Sequence, residues 1–177
     1  MKDRKLLNSE LGRISKDEYR SAEPSGVEVI LDNVRSAHNV GSVFRSADAF
    51  RIDRVWLCGI TPLPPTAEIH KTALGAEDSV RWEHRDDSVA LVKELQAQGY
   101  TVVSVEQTEH SVSLRDFKCD FGKKYAFVFG NEVDGVSQEV VDAGDVSLEI
   151  PQFGTKHSLN VSVCAGVVLW AITDKLF

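Results

Sequence analysis

The sequence predicts one α/β domain, a mostly parallel sheet with helices on both faces, and two observations carry that expectation. Short apolar, β-rich runs alternate along the chain with stretches of helical periodicity, and strands joined through helices need crossover connections. The composition agrees, because 177 residues with 42% hydrophobic and 27% charged side chains suffice for one core without disulfides or metals.

The elements follow in order. A charged arm, residues 1–25, leads into a domain spanning 26–177. Runs rich in β-branched and aromatic residues at 27–31, 54–58, 100–105, 125–129 and 146–150 read as strands. Helices are expected at 39–50, with Val40, Val43, Phe44 and Ala47 on one face, at 88–99 with Gly99 as terminator, and at 137–143. A last helix over 158–172 is apolar on nearly every side and too short to span a bilayer, so it belongs inside the domain, against a second subunit, or both.

Bulk properties narrow the function classes. Met1 to Arg20 is charged almost throughout and no apolar run approaches membrane length, so a cytoplasmic protein without membrane contact is expected. Cys58, Cys119 and Cys164 fit neither a disulfide framework nor a CxxC metal site, and they read as reduced and packed. The net charge of −7 gives no global case for nucleic-acid binding. The first 20 residues lean the other way, with Lys2, Arg4, Lys5, Arg13, Lys16 and Arg20 against four acidic side chains, which reads as a solvated amphipathic arm or an RNA contact.

Three stretches carry more glycine and polar residues than folding needs: "NVGSVFR" (39–45), "GNEVDG" (130–135) and "IPQFGTKHSLN" (150–160). Each follows a strand, and in an open parallel sheet ligands bind outside the carboxyl ends of the strands, so the three are expected to form one site. Asn39 suits a helix cap, and Gly41 lets a ligand or backbone approach closely. From spacing alone Arg45 reads as a surface arginine paired with Asp48. Turn formation accounts for Asp134 and Gly135 and less well for Glu132. Pro151 ends a strand, Gly154 permits an unusual backbone angle, and Ser158 is a natural N-cap, which leaves Asn160 without a local reason.

The fingerprints of common alternatives are missing. There is no GxGxxG or GxxxxGK[ST], no GxSxG elbow, and the five histidines lack metal-ligand spacing, so no metal site is expected. A nucleotide-dependent oxidoreductase on an ordinary doubly wound fold would need the glycine fingerprint.

Taken together, "NVGSVFRSADAF", "FGNEVDGVS" and "IPQFGTKHSLNVSVCAG" resemble the three ordered motifs of the SpoU/TrmH branch of the SPOUT RNA methyltransferases, over roughly residues 26–174. The resemblance implies an α/β domain with a deep C-terminal trefoil knot. It implies transfer of a methyl from S-adenosylmethionine to a ribose 2′-hydroxyl of tRNA or rRNA, tRNA slightly favoured, leaving S-adenosylhomocysteine. On the matching positions it implies catalytic roles for Asn39, Arg45, Glu132, Ser158 and Asn160. Cofactor contacts would come from Phe129, Gly130, Asn131, Glu132, Ile150, Pro151, Gly154, Ser158 and Leu159.

Arginine is a poor base because its pKa exceeds about 12, so Arg45 is expected to bind phosphate and stabilise developing charge on the ribose oxygen. Glu132 is expected to hold Arg45 in place. Arg45, Lys71 and Lys156 are the expected RNA contacts. "KTALGAED" (71–78) reads either as a short helix ending at Gly75 or as part of the substrate side. The resemblance also implies a homodimer in which one subunit's arginine can serve the other's site. The alternative is a catalytically inactive knotted module that binds RNA or cofactor.

Overall fold

The structure is a computed structural model that describes residues 3–120 and 122–174. Lys2 of the arm and the last three residues of the expected domain lie outside the described residues. Seven strands form one sheet: β1 (Val27–Asp32), β2 (Arg54–Cys58), β3 (Arg81–Arg85), β4 (Tyr100–Val105), β5 (Val112–Ser113), β6 (Lys124–Phe129) and β7 (Val146–Glu149). Their order is β3-β2-β1-β6-β4-β7-β5, and every ladder is parallel. The helices are α1 (Lys16–Ser21), α2 (Ala37–Ala49), α3 (Ala67–Ala73), α4 (Ser88–Ala97), α5 (Gln138–Ala143) and α6 (Val161–Thr173).

Side-chain alternation along the strands divides the core into two layers. Val27, Val29 and Leu31 of β1 and Tyr125, Phe127 and Phe129 of β6 face α2, α3 and α6. Ile30, Ala126 and Val128 face α4 and α5. Both faces of the central strands are therefore covered, which is why these strands read as continuous apolar runs.

Two strands escape the sequence pattern. β3 is RWEHR, with charged residues at three of its five positions, and lies at a sheet edge, where pairing with β2 rather than apolar content defines it. β5 is two residues long at the other edge. The loop 71–78 contributes the end of α3, whose C-cap is Leu74 rather than Gly75.

Both expected helix caps shift. Ser36, not Asn39, caps α2, its Oγ accepting from Asn39 N at 3.3 Å. Asn160, not Ser158, caps α6, its Oδ1 accepting from Ser162 N at 2.9 Å and Val163 N at 3.4 Å. Gly41 serves helix packing: a Cβ there would lie 2.3 Å from Ile69 O of α3.

Asp32, 1% exposed at the end of β1, fixes the neighbouring chain entries. Its carboxylate accepts from Asn33 Nδ2 (2.8 Å), Ser88 Oγ (2.6 Å), Ser137 Oγ (2.8 Å) and Ser137 N (3.1 Å). Four donors offset the cost of burying the charge and tie the starts of α4 and α5 to β1. The arm is not wholly solvated, since Tyr19 Oη donates to Ile52 O (2.9 Å) and Ala47 O (3.2 Å). Further out, Leu6, Leu7, Leu11 and Ile14 are exposed.

Candidate active site

The loops leaving β6, β4 and β7 surround a cavity of about 560 Å³ at the carboxyl end of the sheet. These strands are neighbours in the order β6-β4-β7, which places the loops side by side, and the volume suits a small-molecule ligand.

The first wall is the turn after β6. Asn131 exchanges both backbone hydrogen bonds with Gly135 (2.8 and 2.9 Å), and Asn131 Oδ1 accepts from Val133 N at 2.8 Å. A Cβ on Gly130 would stand 2.0 Å from the Gly135 carbonyl carbon, and Gly135 has φ +72°. Turn geometry thus accounts for Gly130, Asn131 and Gly135.

Glu132 is left free of the turn and reaches α2. Its carboxylate accepts from Arg35 N (2.8 Å), Ser36 N (3.0 Å) and Asn39 Nδ2 (2.8 Å). Burial pushes this carboxyl up, but the three donated bonds together outweigh it and hold the group below its usual range. Asn39 Oδ1 in turn accepts from Asn160 Nδ2 at 3.2 Å. One chain of hydrogen bonds therefore joins all three motifs.

Within the chain, Glu132 makes no contact with Arg45 among the described residues, its carboxylate being bonded to the start of α2 instead. Arg45 is exposed, and among the described residues it has no hydrogen bond or ion pair. Asp48 is not its partner either. Burial raises the Asp48 carboxyl, opposed by a Ser79 hydrogen bond and the charges of Arg13 and Lys16, so it faces the arm.

The second wall follows β4 and was not anticipated. Glu106 Oε2 accepts from Val136 N (3.0 Å) and Oε1 from Gln107 N (2.8 Å), while Gln107 Nε2 donates to His157 O at 2.7 Å. Its signal in the sequence is the polar run "EQTE" directly after a strand, the same placement that singled out the other loops.

The third wall is residues 148–164. Phe129, Gly130, Asn131, Glu132, Ile150, Ser158, Leu159 and Asn160 all line the cavity, as do Glu106, His157 and Cys164. Pro151 and Gly154 lie outside the lining. Gly154 does not have a positive φ, contrary to expectation, and a Cβ there would meet nothing within 4 Å. Of the residues lining the cavity here, Gln152, His157, Ser158 and Leu159 have backbone N–H groups with no protein acceptor among the described residues. These donors are available to a ligand.

Burial pushes the Cys164 thiol up to about 12, helped by the Glu106 charge across the cavity. Among the described residues the cavity lining holds Glu106, Glu132, Asp134 and Glu149 and no lysine or arginine, a field that favours a ligand of net positive charge. Arg45 and Lys71 lie outside it, and Lys156 is exposed on the third-wall loop. Among the described residues no cluster of His, Cys, Asp or Glu could hold a metal ion.

Residues 26–170 match the SpoU rRNA Methylase family, so the chain belongs to that family. It is 32% identical over 143 residues to the tRNA (guanosine(18)-2′-O)-methyltransferase of Aquifex aeolicus, covering 80% of this chain and 66% of that protein. It is 31% identical to the 23S rRNA (guanosine-2′-O-)-methyltransferase RlmB of Neisseria meningitidis serogroup B, covering 80% of this chain and 55% of that one. The chain thus spans between about half and two thirds of the length of these relatives. Among solved structures, the A. aeolicus TrmH/SpoU tRNA modifying enzyme superposes with TM-score 0.80 at 28% identity, covering 90% of this chain and 80% of that one. The AdoMet-bound rRNA methyltransferase from Sinorhizobium meliloti gives 0.81 at 25% identity, covering 90% and 60%. The fold is that of the SpoU/TrmH methyltransferases.

Proposed function

We propose that this protein is an RNA 2′-O-ribose methyltransferase using S-adenosylmethionine. The observation that carries the reading is the Glu132–Asn39–Asn160 chain, which joins the three motifs at the edge of one cavity. The cofactor fits on three counts: cavity volume, unpaired backbone donors at Gln152, His157, Ser158 and Leu159, and an acidic lining suited to a cation. When bound, S-adenosylmethionine supplies a methyl activated on a sulfonium leaving group.

The protein's part is alignment and charge stabilisation. Gly130, Ile150 and Leu159 present backbone to the cofactor, with Phe129, Asn131 and Ser158 beside them. Glu132 and Asn39 hold the α2 start against the cavity, and Asn160 orients the α6 start beside the reacting hydroxyl. Arg45 binds phosphate and stabilises negative charge developing on the 2′-oxygen. Lys71, Lys156 and the basic arm add phosphate contacts.

The active form in this reading is a homodimer. Val163, Val167 and Trp170 form an exposed apolar stripe on α6, with Trp170 58% exposed, and a second copy is the expected cover. Gly166 of α6 lies against Ser46 of α2, a Cβ there standing 3.6 Å from Ser46 Oγ. Arg45 precedes this contact residue on α2, and dimerisation through the stripe would carry it toward the partner's cavity. The domain spans 26–177 with residues 1–25 as an arm, and the knot implied by the motifs would be made by the segments at 129–135 and 150–160. The setting is cytoplasmic, with tRNA or rRNA as substrate.

The test is incubation with labelled S-adenosylmethionine and unmodified tRNA and rRNA, followed by mass-spectrometric mapping. Methyl on a ribose 2′-oxygen is expected. Methyl on a base, or binding of cofactor with no transfer to either RNA, overturns the reading.

A further inference from the structure

We propose that Glu106 reads the ribose of the bound cofactor, its carboxylate accepting hydrogen bonds from the 2′- and 3′-hydroxyls of the adenosine. This rests on the reading of the cavity as an S-adenosylmethionine site. Glu106 directly follows β4, the strand between β6 and β7, so it stands where the cavity walls converge. Each of its oxygens already accepts one backbone N–H, from Val136 at 3.0 Å and Gln107 at 2.8 Å.

A carboxylate oxygen has two acceptor positions, so each keeps one open. The two backbone bonds fix the plane of the group before any ligand arrives. A pair of pre-set acceptors matches a vicinal diol, and S-adenosylmethionine contains one such diol. A carboxylate just beyond a strand's carboxyl end takes ribose hydroxyls in other open α/β folds for the same geometric reason.

The surroundings are built around this group. A Cβ on Gly135 would come within 2.1 Å of Glu106 Oε2, so the neighbouring turn leaves it space. Among the other acidic lining residues, Glu132 already accepts three donors from the α2 start, Asp134 is exposed on the turn, and no donor among the described residues fixes the Glu149 carboxylate.

Calorimetry with S-adenosylhomocysteine and its 2′-deoxy and 3′-deoxy forms tests the assignment without turnover. The protein should bind the ribose form about tenfold or more tighter than either deoxy form, the size expected for a hydrogen bond to a charged group. In Glu106→Gln that gap should shrink to about threefold or less, through weaker binding of the ribose form. Two results overturn the proposal: a wild-type protein that does not distinguish the three ligands, which needs no variant, or a variant in which all three weaken together. A wild-type protein that binds none of them refutes the cofactor reading itself.

Discussion

The Asn39 side chain bridges Glu132 and Asn160, donating to Glu132 Oε1 at 2.8 Å and accepting from Asn160 Nδ2 at 3.2 Å. Three loops distant in sequence thus share one amide, and its loss should be felt on all of them. Asn39→Ala should weaken S-adenosylmethionine binding and lower methyl transfer together, as seen by calorimetry and single-turnover assay, with a stability cost of about 1–2 kcal/mol.

Arg45 tests a different relationship, because among the described residues it makes no hydrogen bond or ion pair. Arg45→Ala should leave the urea midpoint within about 0.5 kcal/mol of wild type. Cofactor binding should persist while transfer falls by about 100-fold or more. A fully active variant would refute its assignment.

Glu132 predicts a pH dependence of known sign. Its folded pKa is lowered, so its stabilisation is present above the unfolded value and is lost as pH falls through the folded one. Glu132→Gln should therefore be less stable than wild type at pH 6, and the gap should close as the pH is taken down below about 4.3. Urea denaturation of the two proteins from pH 6 to pH 3 measures it.

Gly130 has no room for a methyl group, since a Cβ would meet Gly135 backbone at 2.0 Å. Gly130→Ala should cost about 1–3 kcal/mol and disturb the cavity wall. Thermal unfolding and cofactor titration report the two effects separately.

The α6 stripe gives a test of assembly. Trp170→Glu or Val163→Glu puts a charge on the exposed apolar face and should yield a monomer by light scattering, with methyl transfer lost. A wild-type monomer at micromolar concentration counts against the dimer.

The sequence made the central sheet legible because β1, β2, β4 and β6 are buried on both faces and must be apolar. β3 was not, because an edge strand needs only its backbone for pairing and RWEHR carries no apolar pattern. The helix starts were misplaced by two or three residues for a related reason. "SAHN" and "SLN" each offer two capping side chains, and the path of the preceding loop selects between them.

At the site, the convergence of the three loops was readable from their positions after strands. The partner of Glu132 was not: its acceptors serve Arg35 and Ser36, 97 and 96 residues away. Local chemistry names a carboxylate without saying which distant amide it will meet. Glu106 carries a weaker sequence signal, because its run "EQTE" holds no glycine.

The cavity draws its walls from Val105 through Cys164, and the carboxylate of its central turn closes back on Arg35. The stretch 105–164 holds every lining residue, yet it lacks the α2 start to which Glu132 is tied. During synthesis the first half of the sheet can pair early, yet a nascent chain stays blind to its ligand until Cys164 has left the ribosome. Ligand capture thus reports completion of the fold, and added cofactor should slow unfolding more than it speeds folding.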